Sequence, residues 1–299
     1  MSKVLVVGSI NVDLCCYLDR WPEVHETVKS KAFKQFLGGK GANQAVAAAR
    51  LGADVTFVGA IGRAAYADFA MATLQAEQLS LELVEFENEP TGMAFIDIGP
   101  MSENIIRLVG GANAALRAAD IQAREAAFEN ASVLLLQNEV PEAVCIAAAG
   151  LAQKHDVQVI MDPAPSPAEP WPKAVTDGFD LMTPNAVEAS LYCGFVPNTQ
   201  NDGVRAAAEI AALLDCDALV TMGGDGVAWC YNGQTGWMDA PEVTPVDTVG
   251  AGDCFNGALA VALVEGKPWE DAVTFAAQAA SLSTTRQGAM AALPMRSEI

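Results

Sequence analysis

One segment of the sequence combines a glycine-rich turn with an acidic residue. Residues 247–257 read DTVGAGDCFNG and contain three adjacent small residues, Gly250, Ala251 and Gly252. Asp253 follows them directly, at the start of an apolar stretch of helical character. Bare main-chain amides at a helix N-terminus can bind the negative charge of a migrating phosphoryl group. Asp253 can then accept the proton of an attacking alcohol, although an aspartate at this position also serves as an ordinary helix cap.

Three further glycine-rich turns adjoin predicted strands or helices. They read GSINVD at 8–13, LGGKGANQA at 37–45 and TMGGDG at 221–226. Ligands of open parallel sheets bind beyond the carboxyl ends of the strands, where such turns lie. A single turn of this kind is more often a simple chain reversal, whereas four together indicate a binding site. The Walker A, Rossmann and protein-kinase signatures are absent from the sequence, so a phosphate site here must be of another kind.

The elements that must position these turns alternate between strand and helix. Continuous apolar runs predict buried strands at 4–7, 54–62, 131–136, 157–162 and 218–223. Apolar residues at helical spacing predict helices at 43–52, 141–155, 185–194, 203–215, 254–264 and 269–284. Repeated β-α-β units of this size indicate a doubly wound, mostly parallel sheet covered by helices. We therefore expect an α/β fold in which the whole chain, 1–299, forms one domain.

Two stretches, 14–37 and 91–109, break this alternation. They are typical of short, partly alternating strands joined by turns, with a hairpin candidate GPMSEN at 99–104. Four short strands outside the main sheet would form a small accessory layer or lid.

The composition excludes several classes of partner. The 299 residues include 17 basic and 37 acidic side chains, a formal net charge of −20. This charge repels nucleic acid and anionic lipid, and no run approaches the ~20 apolar residues that a membrane span needs. The seven cysteines include no C-x-x-C pair, so we expect reduced thiols, no zinc site and a cytoplasmic location. Cys254 is a weak candidate for a nucleophile, because only two histidines could activate it.

Over its whole length the chain resembles the PfkB carbohydrate kinases and, within them, the ribokinase group. Residues 38–62, GGKGANQAVAAARLGADVTFVGAIG, are similar to the first family signature, and 247–259, DTVGAGDCFNGAL, to the second. The resemblance implies a ribokinase-like three-layer αβα sandwich with a mostly parallel central sheet and a small β-sheet lid. It also implies transfer of the γ-phosphate of ATP to a primary hydroxyl of a small sugar, D-ribose being favoured.

The resemblance implies roles for individual residues. Asp253 would be the general base, and Gly250, Ala251 and Gly252 the anion hole. The residues implied to bind the sugar are Asn11, Asp13, Gly39, Lys40, Gly41, Ala42, Asn43, Ala94, Ile96, Glu139 and Asp253. The alternative for Asp13 is a turn aspartate, and for Lys40 an exposed charge.

The nucleotide and its metal ions would lie beside the second signature. The residues implied to bind ATP are Asn185, Glu188, Thr221, Gly223, Gly224, Asp225, Gly226 and Gly252. Asn185 and Glu188 would help to position Mg²⁺, or they cap and flank an ordinary helix. The positions that match a monovalent cation site, expected to bind K⁺ mostly through carbonyl groups, are Asp247, Val249, Ser283, Arg286, Gly288 and Ala292. Ala292 stands at a position where members of the family commonly have serine.

Some positions depart from the family pattern, and some alternatives stay open. Arg63 and Tyr66 stand where an acidic, glycine-containing turn is usual, and Ala277 cannot make the adenine contact of a His or Asn.

A homodimer through the lid sheet is expected. The alternatives are a kinase for fructose, deoxyribose, 2-keto-3-deoxygluconate or a nucleoside, and a non-catalytic sugar or nucleotide sensor. A dinucleotide-dependent oxidoreductase lacks its fingerprint.

Overall fold

Two β-sheets organise the protein in a computed structural model that describes residues 3–101 and 103–299. The strands are β1 Lys3–Val7, β2 Asn11–Tyr17, β3 Ala32–Gly38, β4 Asp54–Gly62, β5 Ser80–Phe86, β6 Gly92–Ile98, β7 Asn104–Val109, β8 Val133–Gln137, β9 Gln158–Asp162, β10 Leu181–Met182, β11 Asp217–Thr221, β12 Gly226–Tyr231 and β13 Gln234–Asp239. The α-helices are α1 Lys40–Arg50, α2 Ala67–Gln75, α3 Ala112–Ala115, α4 Ala118–Gln122, α5 Glu142–Lys154, α6 Lys173–Thr176, α7 Ala186–Cys193, α8 Gln200–Leu214, α9 Ala251–Val264 and α10 Trp269–Ser283. The hairpin candidate at 99–104 includes Ser102, which lies outside the described residues.

The larger sheet has nine strands in the order β13-β12-β11-β10-β9-β8-β1-β4-β5. Its strands run parallel from β5 to β11, and only the β12 and β13 pairings at one edge are antiparallel. A parallel sheet of this kind needs a helical crossover between successive strands, which explains the alternation in the sequence.

Helices cover both faces of this sheet because its strands are apolar on both sides. In β1, Val4 and Val6 pack with α1, α9 and α10 on one face. Leu5 and Val7 pack with α5 and α8 on the other face. Each fully buried aliphatic side chain contributes about 1.5–3 kcal/mol, and truncation of Leu5 to alanine would cost about 2–5 kcal/mol. The three-layer αβα sandwich with a mostly parallel sheet is therefore confirmed.

The smaller sheet has four strands in the order β3-β2-β6-β7. The segments 14–37 and 91–109 supply two strands each, as predicted, although β2 already begins at Asn11 and β3 ends at Gly38. Strands β2 and β6 pair in parallel, and Asp13 stands opposite Ala94. Because β2 follows β1 after a short turn, this lid sheet is joined directly to the carboxyl edge of the main sheet.

Candidate active site

The helix α9 begins where the glycine turn predicts a bare N-terminus. Gly250 is its N-cap residue with φ +79°, a left-handed conformation that favours glycine. Among the described residues no side chain caps this end of the helix. A Cβ atom placed on Gly252 would meet no protein atom within 4 Å, so the space in front of the first turn is open. The first-turn amides are therefore accessible to an anion.

Asp253 lies in the first turn of α9 and is only 4% exposed. Its Oδ2 accepts a hydrogen bond of 2.8 Å from Nδ2 of Asn43. Its Oδ1 accepts one of 3.3 Å from Nε2 of Gln44 and lies 3.7 Å from Nζ of Lys40. All three partners belong to α1, so the N-termini of two helices meet at this carboxylate. Asp253 is thus surrounded by residues of the first family signature.

Asn43, beside Asp253, has one hydrogen-bond acceptor that is not used. Its Oδ1 is buried and finds no hydrogen-bond partner among the described residues. A buried carbonyl oxygen without a partner costs free energy unless a ligand supplies a donor. A sugar hydroxyl beside Asp253 would supply one.

Two of the three glycines of GGKGAN, Gly39 and Gly41, allow α1 to approach the turn between β1 and β2. A Cβ atom on Gly41 would lie 2.5 Å from the backbone nitrogen of Ser9. One on Gly39 would lie 2.7 Å from that of Asn11, and Gly39 also has φ +90°. Any side chain at these positions would push the two turns apart. The glycines therefore position Lys40 and Asn43.

Glu139 holds the same two turns together. Its Oε2 accepts hydrogen bonds from Oγ of Ser9 at 2.5 Å, from the backbone nitrogen of Lys40 at 3.0 Å and from Nδ2 of Asn11 at 3.3 Å. Asn11 and Glu139 also line a cavity of about 330 Å³ that extends to the end of β7. Ser9, which the sequence did not single out, belongs to this cluster.

The lid contributes Asp13, Ala94 and Ile96, which share one face of the sheet because they are paired or two residues apart. Burial, together with the nearby charges of Glu139 and Asp253, raises the pKa of Asp13 to about 7. Ala94 is buried opposite Asp13. Ala42, in contrast, packs in the hydrophobic core beneath the site.

A cavity of about 920 Å³ lies on the other side of Asp253. Six of the residues predicted to bind ATP line it: Asn185, Thr221, Gly223, Gly224, Gly226 and Gly252. Asp225 and Glu188 are not among its lining residues. The opposite wall consists of the loop 240–245, which the sequence did not predict, and one face of α10. This face includes Ser281 and Ala277, the position at which the family resemblance implies an adenine contact.

Asn185 and Glu188 form a capping box at the start of α7. Oδ1 of Asn185 accepts from the backbone nitrogens of Val187 and Glu188, both at 2.9 Å. Oε2 of Glu188 accepts from the backbone nitrogen of Asn185 at 2.9 Å. The helix-capping alternative is thus present in the structure. It leaves Nδ2 of Asn185 and Oε1 of Glu188 available for other partners.

The positions implied for a monovalent cation lie on two adjacent segments that Asp247 joins. Its Oδ1 accepts from the backbone nitrogen of Val249 at 3.1 Å, and its Oδ2 from that of Gly288 at 2.9 Å. Ser283 donates to the backbone oxygen of Ala280. Arg286 is engaged in an ion pair with Glu298, and Ala292 is buried in a short 3₁₀ turn. The structure thus brings Asp247, Val249 and Gly288 together, while the hydroxyl proton of Ser283 and the guanidinium of Arg286 are engaged by other partners.

Two buried polar residues behind Asp253 escaped the sequence analysis. Gln44 lies in α1 and Asp162 ends β9, and Nε2 of Gln44 donates to Oδ2 of Asp162 at 2.9 Å. The position of Asp162 at the carboxyl end of a parallel strand is the signal that could have indicated it. Asn256 is a third such residue, since it links Thr183 to the backbone oxygen of Gly252.

Comparisons with known proteins agree with this geometry. A family model described as pfkB family carbohydrate kinase matches residues 1–296. The chain belongs to the pfkB family of carbohydrate kinases. It is 35% identical to a ribokinase of Haemophilus influenzae, over 100% of this chain and 97% of the relative, and 36% identical to one of Bacillus subtilis, over 100% and 98%.

A solved structure of Arabidopsis thaliana ribokinase complexed with ribose and ATP matches with a TM-score of 0.91. It is 34% identical, and the match covers 99% of this chain and 96% of that one. The pfkB assignment confirms the family predicted from the two signatures, and it identifies the chain as a phosphotransferase that acts on a sugar hydroxyl. Within the described ranges, no helix of this pfkB kinase combines the length and apolar character that a membrane crossing requires.

Proposed function

We propose that this pfkB kinase transfers the γ-phosphate of ATP to the primary hydroxyl of D-ribose, which yields ribose 5-phosphate. The observation that carries the proposal is the position of Asp253, between the open amides of α9 and the polar side chains of α1. The ribokinase relatives and the complex with ribose and ATP support the choice of sugar and nucleotide. The alcohol oxygen forms a bond to the γ-phosphorus as the bond to the leaving ADP breaks, and the hydroxyl proton passes to Asp253.

The remaining residues divide into a sugar side and a nucleotide side. A polyol requires both hydrogen-bond donors and acceptors in its binding site, and Asn11, Asp13 and Asn43 provide both. Ala94 and Ile96 of the lid would exclude water, which limits wasteful hydrolysis of ATP. On the nucleotide side, the amides of the TMGGDG turn would bind phosphate groups, since Gly223 and Gly224 leave open space where side chains would otherwise stand.

We also infer that Mg²⁺ and K⁺ support the reaction. The free carboxylate oxygen of Glu188 suits a hydrated Mg²⁺, which carries water ligands and few protein ligands. Nδ2 of Asn185 would donate to a phosphate oxygen. When bound, Mg²⁺ neutralises charge on the phosphates. Carbonyl groups around Asp247 suit K⁺, which would stabilise the segment next to the anion hole.

The reducing cytoplasm, where ATP is available, is the location that we propose. All seven cysteines are free, including the adjacent Cys15 and Cys16. The exposed apolar side chains of the lid support a homodimer through this sheet.

A panel of sugars with purified protein and ATP, followed by ADP release, tests the proposed function. We expect D-ribose to give the highest kcat/KM among ribose, deoxyribose, fructose, 2-keto-3-deoxygluconate and adenosine. Asp253→Asn should lower kcat by about 10²–10⁴-fold without loss of fold, since it removes the general base. A higher kcat/KM for another sugar would refute the ribose assignment. Binding of sugar without turnover would identify a sensor.

A further inference from the structure

A second buried carboxylate, Asp162, lies behind Asp253 and has no role in the reaction as proposed. Its Oδ2 lies 2.9 Å from Nε2 of Gln44 and 3.5 Å from Nζ of Lys40. The same nitrogen atoms lie 3.3 Å and 3.7 Å from Oδ1 of Asp253. One amide and one ammonium group therefore stand between two carboxylates.

The amide of Gln44 cannot turn freely in this arrangement. Its Oε1 accepts a 2.7 Å hydrogen bond from Nε2 of Gln137, and both glutamine side chains are fully buried. The amide nitrogen of Gln44 must consequently face the two carboxylates. Lys40, whose side chain is 25% exposed, is the only one of the bridging groups with access to the cleft.

Four carboxylates act on the single ammonium group of Lys40. Burial alone would lower the pKa of Lys40, but Asp162, Asp253, Glu139 and Glu188 together raise it, so the group is an ammonium ion. The pKa of Asp162 is raised to about 7, mainly by burial; Lys40 lowers this pKa, and Asp253 and Glu188 raise it. If the ammonium paired with Asp253 alone, it would compete with the sugar hydroxyl for that carboxylate.

We propose that Asp162 is a positioning residue that holds the Lys40 ammonium between the two carboxylates, so that Asp253 remains free to accept the sugar proton. The proposal rests on the function proposed above, in which Asp253 is the base. It assigns to Asp162 an action through Lys40 and no contact with sugar or nucleotide.

A double-mutant cycle tests this action. Asp162→Asn keeps the shape of the side chain and an oxygen for Gln44, but it removes the charge that holds Lys40. We expect kcat to fall about 10-fold and the KM for sugar to stay within about twofold, because the released ammonium would pair with the base. In a Lys40→Met background the same replacement should cause no further loss, because no ammonium is left for Asp162 to hold.

Equal losses in both backgrounds would overturn the proposal, since Asp162 would then act independently of Lys40. Asp180→Asn is the matched control, because Asp180 accepts from the backbone nitrogen of Val159 at the opposite end of β9. This control should leave kcat unchanged. Thermal unfolding of each variant identifies any loss of fold.

A crystal structure of the Asp162→Asn variant gives a readout that needs no activity. We expect Nζ of Lys40 to move from 3.7 Å to hydrogen-bond distance, about 2.8 Å, from Asp253. An ammonium that stays in place would refute the positioning role. This result holds even if the wild type phosphorylates no sugar, an outcome that would refute only the proposed function.

Discussion

Asp13 couples the stability of the lid to pH. Its pKa is raised from 3.8 to about 7, first by burial and then by Glu139 and Asp253. The folded protein therefore binds the Asp13 proton more tightly than the unfolded chain does. The resulting stabilisation is fully present below the unfolded pKa and is lost as pH rises through the folded pKa. The window lies between about pH 4 and pH 7.

We expect Asp13→Asn to remove this part of the pH dependence. Between pH 5 and pH 8 the Tm of the wild type should fall relative to that of the variant, because only the wild type has a buried carboxylate to ionise there. Differential scanning calorimetry at a series of pH values measures the difference. Asp19→Asn, in an exposed turn of the same lid, is the control and should follow the wild type. Parallel curves for the wild type and Asp13→Asn would contradict the prediction.

Buried polar residues near glycines were predictable from the sequence, whereas buried polar residues without such a marker were not. Asp253 and Asn43 lie one and two residues after a glycine, and glycines mark turns near ligands. Gln44 precedes the alanine-rich segment of α1, and Asp162 ends an apolar strand, so each has the local pattern of a core element. Only the fold brings them within 2.9 Å across 118 positions of sequence.

At the scale of elements, packing does not require a glycine in the first turn of α9. A methyl group on Gly252 would meet no protein atom within 4 Å. Alanine is also favoured over glycine within helices by about 1 kcal/mol. We expect Gly252→Ala to keep or raise the Tm and to lower kcat/KM for ATP at least 10-fold, because the methyl group would occupy the path of the phosphate.

Gly150→Ala in α5 is the matched control for Gly252→Ala in α9. Gly150 is exposed and also has open space around its Cβ position, so the replacement should raise stability by a similar amount. Its kcat/KM for ATP should stay at the wild-type value. If both variants kept full activity, the open space before α9 would not be a phosphate site.

The ends of elements were the weakest part of the sequence prediction. The sequence pattern predicts α1 from residue 43 and α9 from residue 254, but they begin at Lys40 and Ala251, so each has a glycine in its first turn. In α1 the close approach of Gly41 to Ser9 requires this glycine. The hairpin of β12 and β13 was missed. Asn232 and Gly233 both have positive φ there, as an Asn-Gly type I′ turn requires, so the dipeptide was a usable signal.

At the scale of the whole molecule, sheet order explains why distant segments form one site. Strands β1, β8 and β9 are neighbours in the sheet, and their carboxyl ends lead into Asn11, Glu139 and the chain after Asp162. Helices α1 and α9 pack together on one face, which brings Asn43 to Asp253 across 210 positions. The family signatures revealed this assembly only through resemblance, since local patterns carry no information on strand order.

The lid also exposes apolar side chains that one copy of the chain leaves uncovered. Phe33, Phe95 and Ile105 are 60%, 37% and 52% exposed. Strand register places all three on the face opposite to Asp13. A second copy is the occupant that we propose, because a two-fold contact would bury the same apolar patch on both chains. Each chain has a net charge of −20, so this association works against mutual repulsion.

Sedimentation velocity at two salt concentrations tests the dimer. We expect a dimer that is tighter at 0.5 M than at 0.05 M salt by about an order of magnitude in Kd, because salt screens repulsion beyond about 10 Å at 0.1 M while apolar burial persists. Ile105→Lys should give a monomer, since it places a charge within the apolar contact. Val196→Lys, at an exposed site after α7, should remain dimeric. A wild type that sediments as a monomer at both salt concentrations would show that the lid face has another partner or none.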